Sequence, residues 1–227
     1  MEIMGERYKH IVNDCMEFAR QFLDLPPQIE LLFEECPSEM FPLATNSSET
    51  DGKTIYFNKP WFMQRIDEHR DDLEFFIFHE LRHCHQIFSV QKMKQGMSTQ
   101  DRKNVIHRWE QDFAGYVRNE DDETEQSNLI QEVEIDANAY GVVLTNLWHI
   151  NDDMELHFSV PEYAMEIAFE RSKQYYKSEQ KVVSYIQKYL AEKQPSAPYH
   201  PQKYERNKPC PCGSGLKWKK CTCKVYH

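Results

Sequence analysis

Apolar residues follow two rhythms along this chain. Tyr8, Ile11, Val12, Cys15, Ala19 and Phe22 recur every three or four positions and predict an N-terminal helix that Pro26-Pro27 closes. Ile29, Leu31 and Phe33 alternate with polar residues, as a half-buried strand does. A loop rich in turn residues runs to Asp51-Gly52, a hairpin signal, and Thr54-Ile55-Tyr56-Phe57-Asn58 predicts a second strand. After Pro60 the rhythm is helical, with helices expected over 73–88, about 105–116, 128–148 and, singly or as a pair, 161–192. The acidic stretches 67–72 and 120–125 are expected as solvated loops between them. Pro195, Pro198, Pro201 and Pro209 then stand in a segment without apolar periodicity, which reads as a linker. The expected organisation is an α+β body over 1–192, mostly helical with a small sheet, a proline-rich linker over 193–209, and a cysteine-rich knuckle over 210–227.

Composition supports a packed body. Hydrophobic residues make up 40% of 227 and aromatics 13%, which supplies a sizeable core and rules out global disorder. The longest uninterrupted aliphatic or aromatic run is 75–78, far short of the roughly 18 to 20 residues that cross a bilayer. With an acidic first segment, Met1-Glu2-Ile3-Met4-Gly5-Glu6, that lacks the basic and apolar regions of a secretory signal, the expected location is cytoplasmic. Charge is unevenly spread. From Lys193 onward eight basic residues face one acid, a surplus of +7, so the formal total of −10 leaves −17 on residues 1–192. Such a body repels phosphate backbones, and no specific DNA binding is expected; the tail is suited to RNA, a ribosome or an acidic protein face, or simply to solvation.

Phe78-His79-Glu80-Leu81-Arg82-His83 contains HExxH. Two His at i and i+4 leave a helix on one face, so both imidazoles can reach one zinc ion at roughly 2.0 to 2.1 Å. Glu80 points about 100° away, which suits a base that holds a metal-bound water without ligating the metal. With 10 His in the chain, about 0.05 accidental matches are expected, so context matters. Leu73, Ile77, Leu81, Cys84 and Phe88 form an apolar stripe opposite the two His, and Phe75 and Phe76 stand on the ligand side, where they can exclude water. A catalytic zinc needs a third protein ligand and an open position. Glu134, Asn138, Gly141 and Thr145 share one face of a second helix; Gly141 permits close helix approach, and Asn138 suits a hydrogen bond behind a ligand. Glu132 and Asp136 lie about 200° from Glu134, so one acid of the three can face the site, and Glu134 is chosen. The competing reading leaves all three acids as solvation of a surface helix. His85, His107, His149 and His157 receive no role, Tyr140 reads as core, and Trp109, Phe113 and Tyr116 read as packing at helical spacing.

His79-Glu80-Leu81-Arg82-His83 followed by Glu134-Ile135-Asp136-Ala137-Asn138-Ala139-Tyr140 resembles the zincin metallopeptidases whose third ligand is Glu. It is most similar to the ImmA/IrrE-type proteins and to membrane-free relatives of the Ste24/HtpX-type domain. The resemblance covers about 50–145. It implies a zinc peptidase acting on a peptide or protein, with a small active-site sheet before the HExxH helix whose edge strand pairs with extended substrate; 54–58 occupies the matching place. Asn138 stands where some relatives carry Asp, and no helix-turn-helix is present. Retention of Glu80 separates a peptidase from a noncatalytic zinc-binding adaptor, because a scaffold has no use for a base there.

Seven cysteines without a signal peptide argue against a disulfide scaffold, and Cys210, Cys212, Cys221 and Cys223 fall within fourteen residues, as zinc ligands do. The run from Arg206-Asn207 through Cys210-Pro211-Cys212-Gly213-Ser214-Gly215 to Lys219-Lys220-Cys221-Thr222-Cys223 closely resembles the SEC-C motif. Gly213 and Gly215 allow a turn tight enough to bring both thiolate pairs round one ion. The resemblance implies a structural zinc, a second ion beside the catalytic one, and a docking knuckle for a protein or ribosome partner. The motif usually ends Cys-Cys or Cys-His; Thr222 intervenes here, so the fourth ligand is Cys223 or His227.

Overall fold

The computed structural model describes residues 2–41, 43–118, 122–150 and 156–178. The elements in order are α1 (Glu2–Ala19), β1 (Glu30–Glu34), β2 (Ser48–Thr50), β3 (Thr54–Asn58), α2 (Lys59–Glu68), α3 (Arg70–Lys94), α4 (Lys103–Ala114), α5 (Asp122–Leu129), α6 (Glu132–Trp148) and α7 (Glu162–Ser178). Mostly helical with one three-stranded sheet, they make an α+β structure. The linker, the knuckle and the end of the helical stretch expected to Glu192 lie outside the described residues. Among the described residues, no helix is long and apolar enough to cross a membrane.

The sheet runs β1-β3-β2, with β1 parallel and β2 antiparallel to β3. The β2–β3 turn follows from its residues. Asp51 Oδ1 accepts from the backbone N–H of Lys53 at 2.8 Å and Thr54 at 2.7 Å, while Gly52 takes a φ of +90°. Thr54–Asn58 is therefore the central strand, not the edge expected from the resemblance. Its near-continuous burial is that of a strand covered on both faces. The edge beside α3 is β2, whose three polar residues carry no alternation to announce it.

α3 is the central helix, 25 residues long, beginning three residues earlier and ending six later than expected. Leu73, Ile77, Leu81 and Cys84 are fully buried, and the ligand side is buried as well. The first acidic stretch is not a solvated loop throughout. Asp72, 1% exposed, accepts from Arg65 Nε at 2.9 Å and from the backbone N–H and hydroxyl of Ser159 at 2.7 and 2.5 Å, and Asp71 accepts from the backbone of His157 at 2.7 Å. These carboxylates are buried because they hold the segment entering α7. The second stretch is corrected too, since α5 begins at Asp122. The helix expected over 128–148 breaks at Ile130-Gln131, because Asn128 and Gln131 use their amides to hold the backbone of Val117.

α3 packs along α6 with no room to spare: a Cβ on Gly141 would stand 2.7 Å from Phe75 Cε2. On another side of α3, Phe18, Phe78 and Trp148 meet with ring centroids 5.0 to 6.3 Å apart. This packing fixes the two helices that carry the candidate ligands.

Candidate metal centre

His79 and His83 leave α3 one turn apart with their Nε2 atoms 3.0 Å from each other. Glu134, in the first turn of α6, approaches them from the facing helix. Its Oε2 is 3.3 Å from His79 Nε2 and its Oε1 3.2 Å from His83 Nε2. One ligand atom from each lies within 4.8 Å of the others, and all three residues are buried.

The far side of each imidazole sets what the near side offers. His83 Nδ1 lies 2.8 Å from Gln86 Oε1, and Gln86 Nε2 donates to Val133 O at 3.1 Å and Asp136 Oδ2 at 2.7 Å. With the amide nitrogen committed to two acceptors, Oε1 faces His83, so Nδ1 carries a proton and Nε2 is the nitrogen turned toward the cluster. His79 Nδ1 lies 2.9 Å from Asn138 Oδ1 on its own far side. Two imidazole nitrogens and a carboxylate thus converge on one point, where the carboxylate draws positive charge. Burial alone would lower His83, but Glu134 beside it lifts its pKa to about 9; burial would raise Glu134, yet His83 and His79 hold it well below the usual carboxylate range. Two imidazoles and one carboxylate are also the donor set of a catalytic zinc site, so these residues fit a zinc ion.

Glu80 stands beside the cluster without joining it. Its Oε1 accepts from Ser48 Oγ on β2 at 2.9 Å, and burial raises its pKa against the pull of the two His. Phe75 and Phe76 flank His79 at centroid distances of 6.3 and 6.2 Å. The site opens into a cleft of about 360 Å³ with α3 as its floor and β2 along one wall. Asn58 donates to Ser47 O and Asp51 to Thr54 O. Alternation along an antiparallel pair therefore turns the backbone groups of Ser48 and Thr50 to the open edge. Arg118, from the opposite wall, forms an ion pair with Glu49.

Tyr116 is not packing. Its hydroxyl donates to Glu134 Oε1 at 2.5 Å and accepts from Asn128 Nδ2 at 3.2 Å. Helical spacing grouped it with Trp109 and Phe113, but α4 ends at Ala114; Gly115, a stop signal legible in the sequence, removes Tyr116 from that phase. Trp109 is core, and Phe113 stands 6.4 Å from His83. Tyr140 is buried as expected, under the guanidinium of Arg82 at 3.7 Å. The four histidines given no role do not belong to the cluster. His85 is held by Asp24 O and Asp101, His149 pairs with Glu74, His107 pairs with Glu110 at the surface, and the backbone of His157 bonds Asp71. Cys210, Cys212, Cys221, Cys223 and His227 lie outside the described residues.

Residues 206–223, which hold all four clustered cysteines, match the SEC-C motif. No curated protein and no solved structure matches the chain.

Proposed function

We propose that the chain is a zinc-dependent peptidase of zincin fold, acting in the cytoplasm and recruited to a protein or ribosome partner by its C-terminal SEC-C motif. The observation that carries this reading is the convergence of His79, His83 and Glu134 beside Glu80 in a cleft bordered by a strand edge. His79-Glu80-Leu81-Arg82-His83 on α3 and Glu134 on α6 resemble the HExxH and Glu-bearing helices of zincins with a Glu ligand. A zinc ion held by the three residues would act as a Lewis acid and bring the pKa of a bound water down to about 7.

The residues of the chain divide the remaining work. Glu80, buried and steadied by Ser48, takes a proton from the attacking water and returns it to the amine released as the peptide C–N bond breaks. The outward backbone groups of Ser48 and Thr50 pair with an extended substrate, so β2, and not 54–58, is the strand that aligns it. Phe75 and Phe76 keep bulk water from the His79 side. Cys210, Cys212 and Cys221, with Cys223 or His227, would hold the structural zinc of the tail.

Glu80→Gln tests the reading. It keeps the three ligands, so body zinc is retained, while hydrolysis of a peptide found by cleavage screening falls by at least ~10², the scale of general-base effects. Equal turnover by mutant and wild type would remove Glu80 from the mechanism. A wild-type chain that binds zinc and cleaves nothing would favour the noncatalytic adaptor.

A further inference from the structure

Gln86 lies three residues past His83, fully buried, and both ends of its amide are used. Oε1 accepts from His83 Nδ1 at 2.8 Å, while Nε2 donates to Val133 O at 3.1 Å and Asp136 Oδ2 at 2.7 Å. A carbonyl and a carboxylate cannot donate, so the amide has one allowed orientation. Asp136 cannot turn away either. Its Oδ2 also accepts from Arg82 Nε at 2.8 Å, its Oδ1 accepts from the Tyr175 hydroxyl, and Arg82 is pinned over the ring of Tyr140.

We propose that Gln86 is the positioning residue of the metal centre, with the buried Arg82–Asp136 pair as its anchor. The inference rests on reading His79, His83 and Glu134 as a metal site. Gln86 acts in two ways. It accepts the Nδ1 proton of His83, so that Nε2 is the nitrogen left to face Glu134 and to release its proton when a metal ion binds. It also ties α3 to the first turn of α6 at Val133, the neighbour of Glu134, and so holds the two ligand-bearing helices in register. His79 has a weaker counterpart: Asn138 Oδ1 lies 2.9 Å from its Nδ1, but Asn138 Nδ2 is buried without a partner among the described residues, so that amide is held from one side only. A neutral amide is the side chain this position needs. It must accept from an imidazole and donate to a carboxylate at once, and neither an ionised Glu nor a Lys does both.

The test is made on the full chain by chelator competition for zinc, with the body site identified as the binding step that Glu134→Ala removes. Gln86→Met keeps the length but neither hydrogen bond, and it weakens that step by about 10- to 100-fold, as loss of an outer partner of a metal-binding His does. Gln86→Glu keeps the acceptor toward His83 but sets a carboxylate against Asp136. It holds metal within about threefold of wild type because the acceptor is retained, yet unfolds at a lower temperature than Gln86→Met when metal is absent. Opposite rankings for affinity and stability are what a purely structural role would not produce. Affinity in Gln86→Met within twofold of wild type, or the same ranking in both measurements, overturns the proposal. Should Gln86→Met fail to fold, histidine-selective 15N NMR of the zinc-loaded wild type decides: His83 carries its proton on Nδ1, and a proton on Nε2 overturns it. If no binding step in the wild type depends on Glu134, the metal site itself is refuted, an outcome distinct from a metal site indifferent to Gln86.

Discussion

Glu132, Glu134 and Asp136 leave α6 within five residues of one another, and each meets a different partner. Glu132 takes a two-pronged bond from Arg171 at 2.7 and 3.1 Å, Glu134 faces His79 and His83, and Asp136 bonds Arg82. The separation of about 100° per residue makes them non-interchangeable. Glu134→Ala should therefore abolish zinc in the body. Glu132→Ala should retain it and cost about 1–2 kcal/mol, because it removes a two-pronged ion pair that is only about a quarter exposed. Metal analysis of the two purified variants separates them, and equal zinc content would undo the assignment. Helical phase puts Glu134 and Asn138 on one face of α6, and in the structure that face lies against His79 and His83. It failed for Asp72 and Gln86, whose roles are set by Ser159, Val133 and Asp136, 47 or more positions away along the chain. A buried carboxylate and a solvated one look alike until such partners are known, and a neutral amide announces nothing.

At the scale of elements, the site depends on how closely α3 and α6 approach. Their contact turns on Gly141, where an added Cβ would stand 2.7 and 2.9 Å from Phe75 ring carbons and 3.3 Å from its backbone oxygen. The ring is itself packed against Phe76 and Phe158 and has little freedom to yield. Gly141→Ala should thus force the helices apart and destabilise the fold by about 1–3 kcal/mol, the usual cost of overpacking. Because His79 and Glu134 ride on the separated helices, body zinc affinity should fall along with Tm. Thermal unfolding with and without zinc measures both, and an unchanged Tm would mean that the interface yields without strain. This approach was foreseen from a small residue on the Glu134 face. The sheet was less legible. β3 announces itself by Ile55, Tyr56 and Phe57, but Ser48-Glu49-Thr50 is polar throughout and becomes a strand by pairing with β3 and bonding α3 through Ser48–Glu80 and Thr50–Cys84. The α5–α6 break is similar, since it contains neither Pro nor Gly and follows from bonds that Asn128 and Gln131 make to Val117.

At the scale of the whole molecule, charge and chemistry are divided between a −17 portion that carries HExxH and a +7 tail that carries the SEC-C match. A segment of fewer than twenty residues has too few apolar side chains for a core, so on the proposed reading zinc binding would supply the folding energy of the tail, which in small zinc modules is about 10–16 kcal/mol at neutral pH. None of the three ligands proposed for the body lies beyond Glu192, and a linker with four prolines is suited to holding the tail as a separate module. Truncation after Glu192 should therefore lower bound zinc from two ions to one and leave cleavage of a short peptide intact. Capture of the physiological partner should weaken, because linkage turns two weak contacts into one stronger one, and the part lost should be the part that added salt screens. Zinc content, peptide turnover and partner capture at two ionic strengths report these outcomes independently. A truncated body that lost its own zinc and its peptide cleavage would make the tail a component of the active-site fold, and the docking role would fall.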